Sequence, residues 1–226
     1  MKGIQFLLVN MSLSGKTEGR MRLGIFGGTF DPPHIGHLIL AAEAFTQLEL
    51  DRVLWVLTPF PPHKEDQVIT PLKDRLEMLQ AMLAVDPAFV LSRVDIDRDP
   101  PHFAVGTVKQ VREQHPQTDL VYLMGSDSLA DVPTWYEAQS FLSACDYIGV
   151  MCRPGRMVEL DSLDSQLPGL REKVRYIQAP LLEISSSQLR WRMSQGLPFR
   201  YYLRPEVYEI IQDRNLYGLG NGVVET

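Results

Sequence analysis

The chain is an α/β protein by its sequence: a Rossmann-like, doubly wound parallel sheet in a single domain. Three observations predict this. Candidate strands and helices alternate along most of the chain. Two of the strands, V-L-W-V-L at 53–57 and L-V-Y-L-M at 120–124, are almost wholly apolar, as strands covered on both faces are. The first strand runs into two glycines and then directly into a helix, the arrangement from which such folds build anion sites.

In chain order, the first strand is Arg22–Phe26, carried by Leu23, Ile25 and Phe26 and ended by Gly27 and Gly28. The Ala-rich apolar segment Ile35–Leu48 forms the first helix, and Val53–Leu57 the second strand. Thr58–Thr70 is a long, polar, Pro-rich loop at a strand's carboxyl end, where ligands and lids are found. Helix Pro71–Val85, strand Phe89–Ser92, helix Ala104–His115, strand Leu120–Met124, helix Thr134–Ser143 and strand Asp146–Met151 follow. Arg153–Leu170 reads as irregular; the chain then continues through strand Lys173–Ile177 and helices Ser186–Gln195 and Pro205–Asp213. Residues 21–217 make up the domain. Residues 1–20 are expected to be a loosely held extension and 218–226 a short tail.

Composition bounds the function. With 226 residues, 45% hydrophobic and 22% charged, the chain has the make-up of a soluble globular domain. A net charge of −6 argues against broad nucleic-acid binding, which needs a basic face. It leaves room for a small anionic ligand held by a few local donors. Cys145 and Cys152 form neither a disulfide framework nor a metal-ligand spacing, which fits a cytoplasmic protein. No apolar run reaches the roughly 20 residues a membrane span needs.

The chemistry concentrates in G-G-T-F-D-P-P-H-I-G-H, residues 27–37. Gly27, Gly28 and Gly36 let backbone approach an anion; Thr29 and Phe30 shape the turn; His34 and His37 stand at a helix start, where free N–H groups and a partial positive charge favour phosphate. The spacing is not that of the dinucleotide fingerprint, and Gly15-Lys16-Thr17 lacks the preceding glycine and strand of a P-loop. A second element, Ile184-Ser185-Ser186-Ser187-Gln188-Leu189-Arg190, sets helix-capping serines one turn ahead of a guanidinium.

Together these strings resemble the signatures of the nucleotidyltransferases with a His-x-Gly-His motif, whose fold is shared with class I aminoacyl-tRNA synthetases. The second element resembles the adenylyltransferase form rather than the synthetase Lys-Met-Ser-Lys-Ser loop. Pro61-Pro62-His63-Lys64, Gly125-Ser126-Asp127-Ser128, Pro133-Thr134-Trp135-Tyr136 and Cys152-Arg153-Pro154-Gly155 follow successive strands in an order similar to bacterial nicotinate-nucleotide adenylyltransferases. The likeness spans about residues 21–217.

The resemblance implies transfer of AMP from ATP to nicotinate mononucleotide, with release of pyrophosphate. It assigns His37 to the α-phosphate, His34 to the β/γ side, and Arg190 with Ile184, Ser185 and Ser186 to the triphosphate. Gly125 and Asp127 would meet the ATP ribose, and Arg153 the adenine or phosphates. Lys64 and His63 would reach the mononucleotide's phosphate, and Phe103 and Trp135 its ring. Mg²⁺ would be bound mainly through ATP phosphates, with no protein metal site. The chain departs from the family at His102-Phe103-Ala104, where members carry Ser-Tyr-Thr. The threonine hydroxyl that helps hold the nicotinate carboxylate is gone, and His102 is the candidate replacement. Acid-versus-amide preference therefore stays open. Nicotinamide mononucleotide is the nearest alternative substrate, then phosphopantetheine, against which Pro-Pro-His-Lys and Pro-Thr-Trp-Tyr speak. A silent nucleotide-binding module would predict a damaged histidine motif or a missing Arg190, and both are intact.

Overall fold

The structure, a computed structural model, describes residues 19–61, 68–152, 159–180 and 183–219. Six parallel strands, β1 (Arg22–Gly28), β2 (Arg52–Leu57), β3 (Phe89–Ser92), β4 (Asp119–Gly125), β5 (Tyr147–Cys152) and β6 (Val174–Gln178), lie in the order β3-β2-β1-β4-β5-β6. The chain winds outward from β1 in one direction, then from β4 in the other. The gap between the carboxyl ends of β1 and β4 is therefore the switch point, the crevice where such sheets bind ligands.

Strand periodicity sorts the core into two layers. On β2, Val53, Trp55 and Leu57 face one cluster and Leu54 and Val56 the other. The first layer is closed by α1 (Ile35–Gln47), α2 (Leu72–Leu83), α8 (Ser186–Ser194) and α9 (Pro205–Asp213), through residues such as Ala41, Met78, Leu189 and Val207. The second is closed by α3 (Ala104–Gln114), α4 (Ser126–Asp131), α5 (Ala138–Ala144), α6 (Leu160–Gln166) and α7 (Leu170–Lys173), through Val108, Leu129, Phe141, Leu163 and Leu170. Burial on both faces is why the strands read as continuous apolar runs.

The predicted strands stand within two residues of their observed bounds. Two predicted elements change. The expected helix Thr134–Ser143 begins only at Ala138: a 3₁₀ turn at Val132–Thr134 carries Pro133, Trp135 is extended, and Glu137 takes a left-handed φ of 49°. Trp135 and Tyr136 thus sit on a loop at the carboxyl edge of the sheet. Within the segment expected to be irregular, Leu160–Gln166 is helical. Its polar sequence buries Leu163 alone, so no apolar periodicity announces it. After β4 the chain turns at once into a short helix, α4, begun by Ser126. At the chain ends, residues 1–18 and 220–226 lie outside the described residues, while Leu219 packs against the first core cluster.

Candidate active site

The glycine turn after β1 is shaped by side chains that fold back on it. Phe30 takes φ 48° and lays its ring over Gly28, where an added Cβ would meet Phe30 Cζ at 2.9 Å. A side chain at 28 would displace the ring and open the turn. His34 then ends the loop as the N-cap of α1, in extended conformation. Its backbone N–H donates to His37 Nδ1 at 3.1 Å, and its carbonyl accepts from His37 N at 2.9 Å. An Nδ1 that accepts leaves the His37 proton on Nε2, so His37 is a neutral imidazole that can donate from that atom.

The two imidazoles stack at 3.7 Å between centroids, 28° apart. Phe26 and Phe30 close on His37 at 6.0 and 5.1 Å. His34 is 4% exposed, and burial pushes its pKa down to about 4. It is therefore neutral at pH 7. Its Nδ1 is sealed without a partner; a buried lone pair there costs less than a buried N–H, which assigns the His34 proton to Nε2 also. An added Cβ at Gly36 would meet His34 Nδ1 at 3.0 Å and Ile184 Cβ at 3.5 Å, so the glycine lets the second motif close on the first.

That closure is made by hydrogen bonds. Ser185 caps α8, its hydroxyl accepting from Gln188 N at 3.2 Å. Ser186 Oγ donates to the Pro32 carbonyl at 2.9 Å, and Arg190 Nη1 donates to the Asp31 carbonyl at 2.7 Å. Arg190 thus comes from the far end of the chain to the backbone of the histidine loop. The loop is held from two more sides. Buried Arg75 donates from Nη1 to the carbonyls of Thr29 (3.0 Å) and Thr58 (2.9 Å), from Nη2 to Pro59 (2.8 Å) and from Nε to Thr70 (2.8 Å). Tyr217 Oη donates to Asp31 Oδ1 at 2.8 Å, while Thr70 N donates to Oδ2 at 3.3 Å. Burial, and the Asp31 carboxylate beside it, raise the Tyr217 phenol well above its usual range.

On the other side of the glycines a cavity of about 820 Å³ opens at the switch point. Gly27, Gly28 and Thr29 form one wall and Gly125 another. His102, Phe103 and Trp135 line it together with Asp95, Thr107 and Tyr136. Phe103 and Tyr136 stack at 4.5 Å and 23°. Trp135 packs edgewise on Tyr122 and obliquely on Phe141 (5.2 Å), so it belongs to the core as well as to the cavity. Beneath them Asp95 Oδ1 accepts from Arg98 Nε at 3.0 Å and Thr107 Oγ1 at 2.8 Å. Burial raises the phenol of half-buried Tyr122 far above the ordinary value and keeps it protonated.

The structure therefore brings His34, His37, Gly36, Ile184, Ser185, Ser186 and Arg190 into one cluster, and His102, Phe103, Trp135 and Gly125 into another. Gly27, Gly28 and Thr29 stand between the two. Asp127 lies on the exposed side of α4's first turn, beside the cavity rather than in its wall. His63, Lys64 and Arg153 lie outside the described residues. Four residues of the site escape sequence reasoning: Asp31, Arg75, Asp95 and Tyr217. A signal existed for Arg75, which shares the stripe of Met78, Leu79 and Met82 on the buried face of α2. A charge on an apolar stripe needs a buried partner. Among the described residues no group of three or more His, Cys, Asp or Glu is placed to hold a metal ion, and no helix is long and apolar enough to cross a membrane.

The cytidylyltransferase-like family model matches residues 25–192. A probable nicotinate-nucleotide adenylyltransferase of Thermomicrobium roseum is 41% identical over 196 residues, covering 87% of this chain and 91% of the relative. One from Moorella thermoacetica is 36% identical over 201 residues, with the same coverage. Among solved structures, Plasmodium falciparum nicotinic acid mononucleotide adenylyltransferase complexed with NaAD superposes with a TM-score of 0.71 at 20% identity, over 89% of this chain and 99% of that one. At that identity the likeness speaks for the fold.

Proposed function

The chain belongs to the nicotinate-nucleotide adenylyltransferases of the cytidylyltransferase-like family, and from that premise we propose that it transfers the adenylyl group of ATP to nicotinate mononucleotide. The product is nicotinate adenine dinucleotide, made for NAD biosynthesis, and pyrophosphate leaves. The observation that carries this reading is the convergence of Arg190 and Ser186 on the backbone of Asp31 and Pro32, beside the stacked His34–His37 pair.

The reaction asks little of acid–base chemistry. A 5′-phosphate oxygen of the mononucleotide, already anionic at pH 7, attacks the α-phosphorus; the new P–O bond forms as the bond to the β-phosphate oxygen breaks. Alignment and charge neutralisation are what the protein supplies. The triphosphate lies over the N-termini of α1 and α8. His37 donates to an α-phosphate oxygen, His34 to the β/γ side, and Arg190 follows the charge onto the departing pyrophosphate. Neutral imidazoles suit this role: each donates its Nε2–H to an oxygen while Nδ1 is turned away from the phosphates. The mononucleotide's ring enters the 820 Å³ cavity among Phe103, Trp135 and His102. Gly27, Gly28 and Thr29 separate the two compartments, so the reacting phosphorus lies over glycine backbone. Asp127 and Arg153 attend the adenosine, and Lys64 and His63 the mononucleotide phosphate.

Mg²⁺ fits this arrangement as an ion that arrives on ATP, held by phosphate oxygens and water and offsetting their charge. We read the two small substrates as the partners and the cytoplasm as the compartment; a net charge of −6 offers no broad face to nucleic acid. The test is release of pyrophosphate from ATP in the presence of nicotinate mononucleotide, with formation of the dinucleotide followed by chromatography. Binding of ATP without turnover would refute the reading in favour of a nucleotide-binding module.

A further inference from the structure

Sheet twist rotates adjacent strands against each other, so the segments that leave their ends tend to part. Between β1 and β2 the ladder runs on to Thr58 N, which donates to the Gly28 carbonyl at 2.9 Å. Immediately beyond it, the Thr29 and Thr58 carbonyls both accept from Nη1 of Arg75, at 3.0 and 2.9 Å. The same guanidinium takes the Pro59 carbonyl on Nη2 and the Thr70 carbonyl on Nε, each at 2.8 Å. One side chain thus spans the glycine turn, the segment leaving β2 and the residue that leads into α2.

A guanidinium is rigid and planar, so carbonyls gathered on one fork are held at fixed separations from each other. The fork is itself firmly mounted. Arg75 shares the buried face of α2 with Met78, Leu79 and Met82, all packed in the first core cluster. From the outer side Arg214 donates to Asp74 and to Glu77 of the same helix. Burial disfavours the arginine's charge and the Asp31 carboxylate favours it. Thr29, Thr58 and Pro61 line the cavity, whereas Arg75 stands behind that wall.

This placement bears on the reaction. The triphosphate's reacting phosphorus lies over the glycine turn, and the mononucleotide enters a cavity whose β2 side is Thr58 and Pro61. In-line attack needs oxygen and phosphorus about 3–3.5 Å apart, and an error of about 1 Å can cost roughly a hundredfold. Resting on the adenylyl-transfer reading above, we propose that Arg75 is a positioning residue for the transfer step, fixing the separation between the glycine turn and the β2 side of the cavity and so the approach of one substrate to the other. It touches neither substrate. Its removal leaves each one's own contacts in place and loosens their mutual alignment, so the loss falls on the rate rather than on either affinity.

The experiment compares wild type, Arg75→Lys and Arg75→Leu. Single-turnover rates are followed by rapid quench at saturating ATP and nicotinate mononucleotide and divided by the folded fraction, read from unfolding curves at the assay temperature. Steady-state runs supply KM for each substrate. The rate per folded molecule should fall roughly a hundredfold in Arg75→Leu and roughly tenfold in Arg75→Lys, which keeps the charge but not the fork. Both KM values should stay within about threefold of wild type. Should Arg75→Leu fail to fold, Arg75→Lys decides. A wild-type rate per folded molecule in Arg75→Lys, or a loss carried by the KM of one substrate, would overturn the assignment and leave Arg75 a residue of stability or of that one site. Absence of dinucleotide formation by the wild type would instead overturn the adenylyl-transfer reading, and this inference with it.

Discussion

Arg190 donates from Nη1 to the carbonyl oxygen of Asp31 at 2.7 Å, joining two motifs 159 residues apart. The bond goes to backbone, so it does not consume the arginine's charge. It orients the planar guanidinium and leaves the other N–H groups of the fork to a phosphate chain, though Nη2 also reaches Ser187 Oγ at 3.4 Å. Lysine cannot reproduce this, because an ammonium has no fixed plane. In Arg190→Lys, kcat/KM for ATP is expected to fall by roughly tenfold or more, and in Arg190→Ala by roughly a hundredfold or more. KM for the mononucleotide should stay within about twofold. Steady-state kinetics with each substrate varied in turn makes the check.

His37 is fixed as a donor by its Nδ1 bond from His34 N, and removing one such preorganised donor costs about 10²–10³ in turnover. His37→Ala should lose that much in kcat and retain its cooperative unfolding. A variant with near wild-type kcat would remove His37 from the mechanism.

His34 makes the protein acid-sensitive. Its pKa is about 4 in the fold and 6.5 when unfolded. Between those values the unfolded chain binds the proton and the fold does not, so stability falls as pH drops from 6.5 toward 4. Above 6.5 nothing is lost, and below 4 the full loss of roughly 3 kcal/mol has accrued. Comparing urea unfolding of wild type with His34→Gln isolates this group. From pH 7 to pH 5 the wild type should lose about 2 kcal/mol more than the variant. Parallel curves would show that His34 takes up its proton in the folded state at its ordinary pKa.

Arg75 is 2% exposed and its four donations tie the glycine turn to the loop after β2. Arg75→Leu fits the apolar stripe but strands four carbonyls. It should cost roughly 3 kcal/mol or more, lowering Tm by about 10 °C in a chain of this size. Calorimetry would show it. Arg75→Lys should recover only part, since one ammonium cannot span carbonyls that a guanidinium bridges from three nitrogens.

The sheet was legible in the sequence because strands buried on both faces leave unbroken apolar runs such as 53–57 and 120–124. The cluster of His34, His37, Ser186 and Arg190 was legible because its residues lie in two short strings. What held those strings together was not. Asp31 lies 39 residues from Thr70 and 186 from Tyr217, and no local pattern records such a pairing. The cavity floor escaped for the same reason: Asp95 and Thr107 meet only once β3 and α3 are placed. Trp135 and Tyr136 fall inside the expected helix Thr134–Ser143; the left-handed Glu137 that breaks it has no glycine or asparagine to mark it.

Tyr217 shows how far the support of the site reaches. It follows α9, beyond the residues matched by the family model, yet its hydroxyl is the side-chain donor to a carboxylate only 4% exposed. In Tyr217→Phe the ring still packs while Asp31 Oδ1 loses that donor. Arg75, whose charge already acts on Asp31, is committed to four carbonyls, so Arg190, on the Asp31 carbonyl, is the cation expected to rotate onto the carboxylate. Arg190 would then be drawn off the phosphates. The expected signature is a destabilisation of about 1–3 kcal/mol together with a several-fold rise in KM for ATP and none for the mononucleotide. Asp31→Asn in the Tyr217→Phe background removes the competing charge, so KM for ATP should recover although stability does not. A loss of stability with both KM values unmoved would make Tyr217 a packing residue only.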